Sequence, residues 1–253
     1  MKRRIRVPVG SLRAGPMRLP AEAAHYARDV LRLRAKDRVE LFDGAGGYAS
    51  AEITRAESRE VEAELEEPLQ AAEPDPPRIT LIQAVGKSDK IDQVIRQASE
   101  LGVARVVVVT TERTVAERQH KLERWRGIAE DGTRVSGRYF VPEIVGVLSL
   151  PTWLEEPRAA LSLLLDGGAE RSMKDILDRA SPPLSLALAV GPEGGFSPQE
   201  RFMLESKGFL RARLGRHTLR TETAGPAALA ALTYAFDPGK VPETRLDPPP
   251  RGR

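Results

Sequence analysis

Four largely apolar runs dominate the sequence after residue 78, at 79–85, 105–109, 160–165 and 184–190, and none alternates regularly with polar residues. Strands of this kind are buried on both faces, as in a parallel sheet, whereas a sheet with one solvated face alternates. Residues 209–214 read as a fifth strand. Between the strands the spacing is helical. Residues 89–101 put Ile91, Val94, Ile95, Ala98 and Leu101 on one face and stop at Gly102. Ser197-Pro198-Gln199-Glu200 opens another helix, with serine as the cap, proline at the first helical position and glutamate three residues after the cap. An alanine-rich helix over 223–236 closes the pattern. Alternating strands and helices predict an α/β fold, a parallel sheet covered on both sides.

The first 67 residues follow another rule. Short strands are expected at 39–42, 48–53 and 61–65, with Asp43-Gly44-Ala45-Gly46-Gly47 as the turn between the first two, and a helix at 21–33. This is a small β-rich module. Residues 68–77 contain Pro68, Pro74, Pro76 and Pro77, which sustain neither helix nor ladder. The expected division is therefore 1–67, a linker at 68–77, an α/β domain over 78–237 and a loose proline-rich tail at 238–253.

Composition excludes several classes. There is no cysteine, so disulfides, thiolate metal sites and cysteine nucleophiles are ruled out. His25, His120 and His217 show no metal-ligand spacing, and no metal is expected. No apolar run approaches the roughly 18 residues of a membrane span, and the charged N-terminus lacks the apolar stretch of a signal peptide, so the expectation is a cytoplasmic protein without membrane association. The net charge of +3 conceals a polarity: residues 1–38 hold eleven Lys or Arg against three acids, and residues 39–77 eleven acids against Arg55 and Arg59. The basic block suits a polyanion. Arg3, Arg4, Arg6, Arg18, Arg32 and Arg34 are the candidate RNA contacts; the plain alternative is that they solvate helix and strand faces.

Nucleotide motifs are weak. Val85-Gly86-Lys87-Ser88 looks like the end of a phosphate loop, but Leu81 stands where that loop needs glycine, and no Gly-x-Gly-x-x-Gly follows a strand. Lys87 and Ser88 read as a helix entry. Two other loops follow strands at the carboxyl end of the sheet, where α/β folds bind ligands. Val190-Gly191-Pro192-Glu193-Gly194-Gly195-Phe196 is stiff and short in side chains, so a flat ligand can approach its peptide groups. Leu214-Gly215-Arg216-His217-Thr218-Leu219-Arg220-Thr221-Glu222-Thr223-Ala224 sets an arginine, a glutamate and three threonines at a helix start. Each alone is also an ordinary strand-to-helix turn.

Together the loops carry a resemblance. With Glu100-Leu101-Gly102-Val103, Ser136-Gly137-Arg138, Val141-Pro142-Glu143 and Leu41-Phe42-Asp43-Gly44, they make the chain similar over nearly its whole length to the RsmE family, the 16S ribosomal RNA uridine N3 methyltransferases of the SPOUT superfamily. The resemblance implies a PUA-like RNA-binding barrel, a SPOUT-type α/β domain with a trefoil knot, a homodimer, and 16S ribosomal RNA or the small ribosomal subunit as partner. It implies S-adenosylmethionine as cofactor, held by Val190, Gly191, Pro192, Glu193, Gly194, Gly195, Leu214 and Gly215, with Leu219, Arg220, Glu222 and Thr223 closing the pocket. Uridine N3 carries a proton that must leave, so Arg220 or Arg138 would stabilise the charge on the base oxygens and Glu193 or Glu222 would take the proton, unless the glutamates merely cap and order the loops. The chain departs from the family at Val135 (usually glutamine), at Phe140 (often arginine) and at Gly225-Pro226, which interrupts an alanine-rich helix start. The rival expectations are a SPOUT methyltransferase acting on ribose 2′-OH or transfer RNA, and a noncatalytic RNA-binding assembly factor.

Overall fold

The computed structural model describes residues 5–57, 60–74, 76–86, 90–114 and 121–236. Arg3, Arg4, the Lys87-Ser88 helix entry and the tail from 237 lie outside the described residues.

The N-terminal module is one six-stranded sheet: β1 (Arg6–Pro8), β2 (Gly15–Arg18), β3 (Arg38–Phe42), β4 (Gly47–Ala56), β5 (Val61–Leu65) and β6 (Leu69–Gln70). The order is β1-β3-β4-β5-β2, with β6 beside β4; β1 runs parallel to β3 and the remaining pairs are antiparallel. β5 alternates as a half-buried strand should, with Val61, Ala63 and Leu65 inward and Glu62 and Glu64 outward. β1 and β2 escape a sequence reading because Pro8 and Pro16 argue against strands; both are edge strands, where the missing N–H is harmless. The expected helix at 21–33 is shorter. α1 (Ala21–His25) passes into a π-helical turn at Tyr26–Val30, and left-handed Arg32 (φ 56°) and Lys36 (φ 75°) carry the chain to β3. Within the expected linker, Leu69 and Gln70 belong to this sheet.

The C-terminal sheet contains β7 (Arg78–Ala84), β8 (Arg105–Thr110), β9 (Glu143–Ser149), β10 (Leu161–Leu165), β11 (Ser185–Val190) and β12 (Leu210–Ala212), all parallel, in the order β12-β10-β11-β7-β8-β9. On one face, α2 (Ile91–Glu100), α3 (Leu122–Ser136) and α7 (Thr221–Phe236) pack around fully buried Ile95, Trp125 and Leu229. On the other, α4 (Leu150–Trp153) and α6 (Pro198–Ser206) cover Ile82, Val107 and Leu164; short α5 (Met173–Leu177) buries Met173 and Ile176 in the first face's core. The α6 start is as read: Ser197 Oγ accepts from the Glu200 N–H at 3.2 Å and Glu200 Oε2 from the Ser197 N–H at 2.8 Å. Glu200 Oε1 also takes the Glu112 N–H at 2.8 Å, which anchors the loop after β8. From β7 the chain moves outward to β8 and β9, whereas from β11 it moves through α6 to β12 on the other side. The winding direction therefore reverses between β7 and β11, where open α/β sheets bind ligands.

Arg6 joins the two modules, and its burial corrects the expectation that it touches phosphate. Its side chain is 6% exposed. Nε donates to Glu40 Oε1 at 2.7 Å, and Nη2 to the Arg138 carbonyl at 2.9 Å. Its guanidinium is sandwiched 4.5 Å from the Phe42 ring centre and 4.6 Å from that of Tyr139. Tyr139 stacks on Tyr48 at 4.3 Å and donates its hydroxyl to Glu40 Oε2 at 3.1 Å. Burial first, then the Glu40 charge, pushes the Tyr139 phenol up to about 12. Phe140 belongs to the same joint: a side chain at Gly46 would collide with its ring.

Candidate active site

The two glycine-bearing loops meet one strand away from the reversal point and wall a cleft of about 510 Å³ at the carboxyl ends of β10 and β11. That size falls within the range of about 300–1,000 Å³ of cofactor-sized sites. The 191–195 loop is a tight turn, closed by the Gly195 N–H donating to the Pro192 carbonyl at 2.8 Å. Gly195 has φ +65°, which a β-branched side chain would strain. At Gly191 a Cβ would lie 3.0 Å from the Phe196 nitrogen, so glycine there lets the loop fold back on itself. Arg113, from the loop after β8, donates to the Gly194 carbonyl and braces the turn. Thr221 ties the second loop to the first by donating its hydroxyl to the Gly191 carbonyl at 2.7 Å.

Of the expected cofactor residues, Val190, Gly191, Pro192, Glu193, Gly194, Gly195, Leu214, Gly215, Leu219 and Arg220 all line this cleft. Thr223 does not. It stands one turn into α7, exposed, with its N–H donating to the Arg220 carbonyl. Leu165, Asp166 and Gly167 at the end of β10 also line the cleft, and sequence reasoning missed them. The signal was present: Asp166-Gly167-Gly168 follows an apolar strand at the same sheet edge. Arg201, His217 and Thr218 line it too.

The candidate catalytic side chains separate. Arg220 lies at the mouth with its side chain 84% exposed and Nη1 4.0 Å from Glu222 Oε1. Glu222 is largely buried behind it at the start of α7. Pro226 lies beyond the first turn of α7, so the Glu222 carbonyl gains no helical N–H donor from four residues on. Glu193 is exposed, and its carboxylate lies against Gly86, where a Cβ would come within 2.8 Å of Oε1. Glycine at 86 thus serves the glutamate and no phosphate. Arg138 is a correction: it is absent from the lining of this cleft, and its guanidinium donates to the Ser99 carbonyl at 2.8 Å and to those of Gly102 and Val103 at 3.3 Å. It closes the carboxyl end of α2, and burial lowers its pKa.

Outside the cleft, Arg18 pairs with Glu60 at 2.8 Å on the surface, and Arg32 and Arg34 are exposed around the left-handed turn that precedes β3. No helix among the described residues is long and apolar enough to cross a membrane, and none of their His, Asp and Glu side chains cluster in threes that could hold a metal ion.

Fold and cleft together define a class, an RNA methyltransferase domain preceded by a PUA domain; family models with those descriptions match residues 73–233 and 19–66. Ribosomal RNA small subunit methyltransferase E of Mycobacterium bovis is 33% identical over 219 residues, covering 82% of this chain and 82% of that protein. The crystal structure of ribosomal RNA small subunit methyltransferase E from Neisseria gonorrhoeae bound to S-adenosyl methionine matches with a TM-score of 0.84 and 31% identity, over 92% of this chain and 98% of that one. A putative methyltransferase from Legionella pneumophila in complex with the cofactor SAM matches with the same figures. The chain belongs to the ribosomal RNA small subunit methyltransferase E family.

Proposed function

We propose that this chain methylates N3 of a uridine in 16S ribosomal RNA, with S-adenosylmethionine as donor. The observation that carries the reading is the glycine-walled cleft at the carboxyl ends of β10 and β11, in a chain that superposes on relatives described as bound to that cofactor. Bound there, the sulfonium supplies an already activated methyl group. The protein's work is to hold donor and base in line and to manage one proton. The 191–195 loop and Leu214-Gly215 line the cleft, where their glycines leave room for a flat heterocycle to approach the backbone, with Leu219 as an apolar neighbour. Arg220, exposed at the mouth, stabilises the charge that spreads over the uridine oxygens as N3 loses its proton. Glu222, paired with Arg220, and Glu193, at the cleft wall, are the carboxylates near that point.

We also infer that the chain works as a homodimer in the cytoplasm. The N-terminal module docks beside Tyr139 and Phe140, which lead into the amino end of β9, while the cleft opens at the carboxyl edge of the same parallel sheet. Within one protomer the N-terminal module and the cleft stand at opposite sheet edges, a strand length or about 20 Å apart. The proposed second copy would bring its N-terminal module, with exposed Arg32 and Arg34, close to each cleft. The six-stranded module is proposed to close as a PUA-like barrel, and segment 214–220 to thread the trefoil knot beside the 191–195 loop. Mass spectrometry of 16S ribosomal RNA from a strain lacking the protein tests the function. One uridine should lose a base methyl group, restored by the wild-type chain and not by Arg220→Ala. A missing ribose methyl, a change confined to transfer RNA, or rescue by Arg220→Ala would each redirect the assignment.

A further inference from the structure

The loops that wall the cleft come from distant parts of the chain, and three buried polar groups in series tie them to the sheet. Gln83, on β7, is 1% exposed. Its Nε2 donates to Thr221 Oγ1 at 2.9 Å and to the Ala84 carbonyl at 3.2 Å. Thr221 Oγ1 donates in turn to the Gly191 carbonyl at 2.7 Å. The polarity of this series follows from valence. A carbonyl only accepts, so the single hydroxyl hydrogen of Thr221 goes to Gly191, and Thr221 accepts from the Gln83 amide. The amide is thereby oriented with its NH2 toward Thr221, which leaves Gln83 Oε1 buried with no hydrogen-bond partner. A stranded buried acceptor is unfavourable, and leucine would fill the same space without one. Such a group in a well-packed interior calls for a reason. Gly225 adds a second sign of purpose: a Cβ there would lie 3.2 Å from Gln83 Oε1 and 3.6 Å from Leu81 Cδ1, so glycine lets α7 settle onto the glutamine.

We propose that Gln83 is a positioning residue for the cofactor cleft: through Thr221 it holds the Gly191 carbonyl, and so sets the separation between the 191–195 loop and the start of α7. Gln83 does not line the cleft; Thr221 does. The inference rests on the reading of the cleft as the S-adenosylmethionine site. Because the series has a polarity, it makes a demand that mere packing would not. Gln83 must donate.

The test is calorimetry of S-adenosylmethionine binding to the full chain, as wild type, Gln83→Leu and Gln83→Glu, from about pH 5.5 to about pH 9, where the carboxyl of the last variant titrates if burial raises it. Gln83→Leu removes the stranded acceptor and should melt no lower than wild type, yet bind about tenfold more weakly at every pH. In Gln83→Glu the protonated carboxyl donates as the amide does, whereas the ionised form only accepts and draws the Thr221 hydrogen away from Gly191. Relative to wild type at the same pH, its affinity should be near normal at the acid end and fall as pH rises. Should Gln83→Glu not fold, Thr221→Ser and Thr221→Val replace it, the first binding as wild type and the second about tenfold more weakly. A folded Gln83→Leu with wild-type affinity, a Gln83→Glu that tracks wild type across pH, or indistinguishable Thr221 variants would overturn the proposal while leaving the cofactor assignment intact. Absence of binding by wild type would overturn the cofactor assignment first, and this role with it.

Discussion

Arg6→Ala should cost about 3–5 kcal/mol of stability, the loss typical of removing one partner from a buried ion pair. The figure follows from what the substitution strands. Glu40 is 5% exposed; its carboxylate keeps the Tyr139 hydroxyl but loses the Arg6 guanidinium at 2.7 Å. The Arg138 carbonyl loses its donor at 2.9 Å, and the Phe42 and Tyr139 rings lose the cation between them. Urea unfolding followed by tryptophan fluorescence is the informative assay, because both tryptophans, Trp125 and Trp153, lie in the C-terminal domain whereas Arg6 lies in the N-terminal module. A lowered midpoint in that signal reports coupling across the joint. Adding Glu40→Gln removes the charge that Arg6 faces and should restore about 1–2 kcal/mol, so the two substitutions are non-additive. A shift under about 1 kcal/mol for Arg6→Ala, or losses that simply add, would refute the bracket.

Tyr139 should ionise at about 12 in an absorbance titration at alkaline pH, and Tyr139→Phe should abolish that step. Since its folded value lies above the unfolded one near 10, the stability it contributes is present below about pH 10 and is lost as pH rises through about 12. Arg32→Glu with Arg34→Glu should weaken binding of a 16S ribosomal RNA fragment and flatten its salt dependence, by about one unit of slope for each phosphate left without its cation, and cofactor affinity should not change; an unchanged slope would return both to ordinary solvated residues. Arg220→Ala should slow single turnover by about a hundredfold at saturating cofactor with little change in cofactor affinity, and Arg220→Lys should rescue it only in part; an affinity that falls in step with rate would make Arg220 a loop brace.

The parallel sheet was legible because burial on both faces leaves runs such as Leu186, Ala187, Leu188, Ala189 and Val190 with no polar member. β9 was not legible. As the outermost strand it is only partly covered, and Glu143 and Gly146 dilute its apolar character. The cleft walls were readable where glycine and proline cluster. Asp166, a single carboxylate after Leu165, became a wall only once β10 was seen to lie beside β11. Charge counting misled most. Arg6, Arg138 and Arg32 are alike in a sequence, yet Arg6 bridges two modules, Arg138 caps a helix and Arg32 faces solvent, and what separates them is whether each meets residues far away along the chain. Gln83 drew no notice at all, since one amide in an apolar run looks like tolerance until its partners are in view.

The placement of β7 also governs how the molecule must be made. Its neighbour β8 follows directly, but its other neighbour is β11, so Ile79 waits for Leu186 across roughly a hundred residues of unfinished chain. At a translation rate of about 5–20 residues per second, that is an interval of about 5–20 seconds. Throughout it, a twin-faced apolar strand offers an open row of amides and carbonyls to any passing nascent strand. The hazard ends only with β11, and Thr221 can find Gly191 only later still. Each copy thus spends a large share of its synthesis as a half-sheet, and its cleft is among the last things to exist.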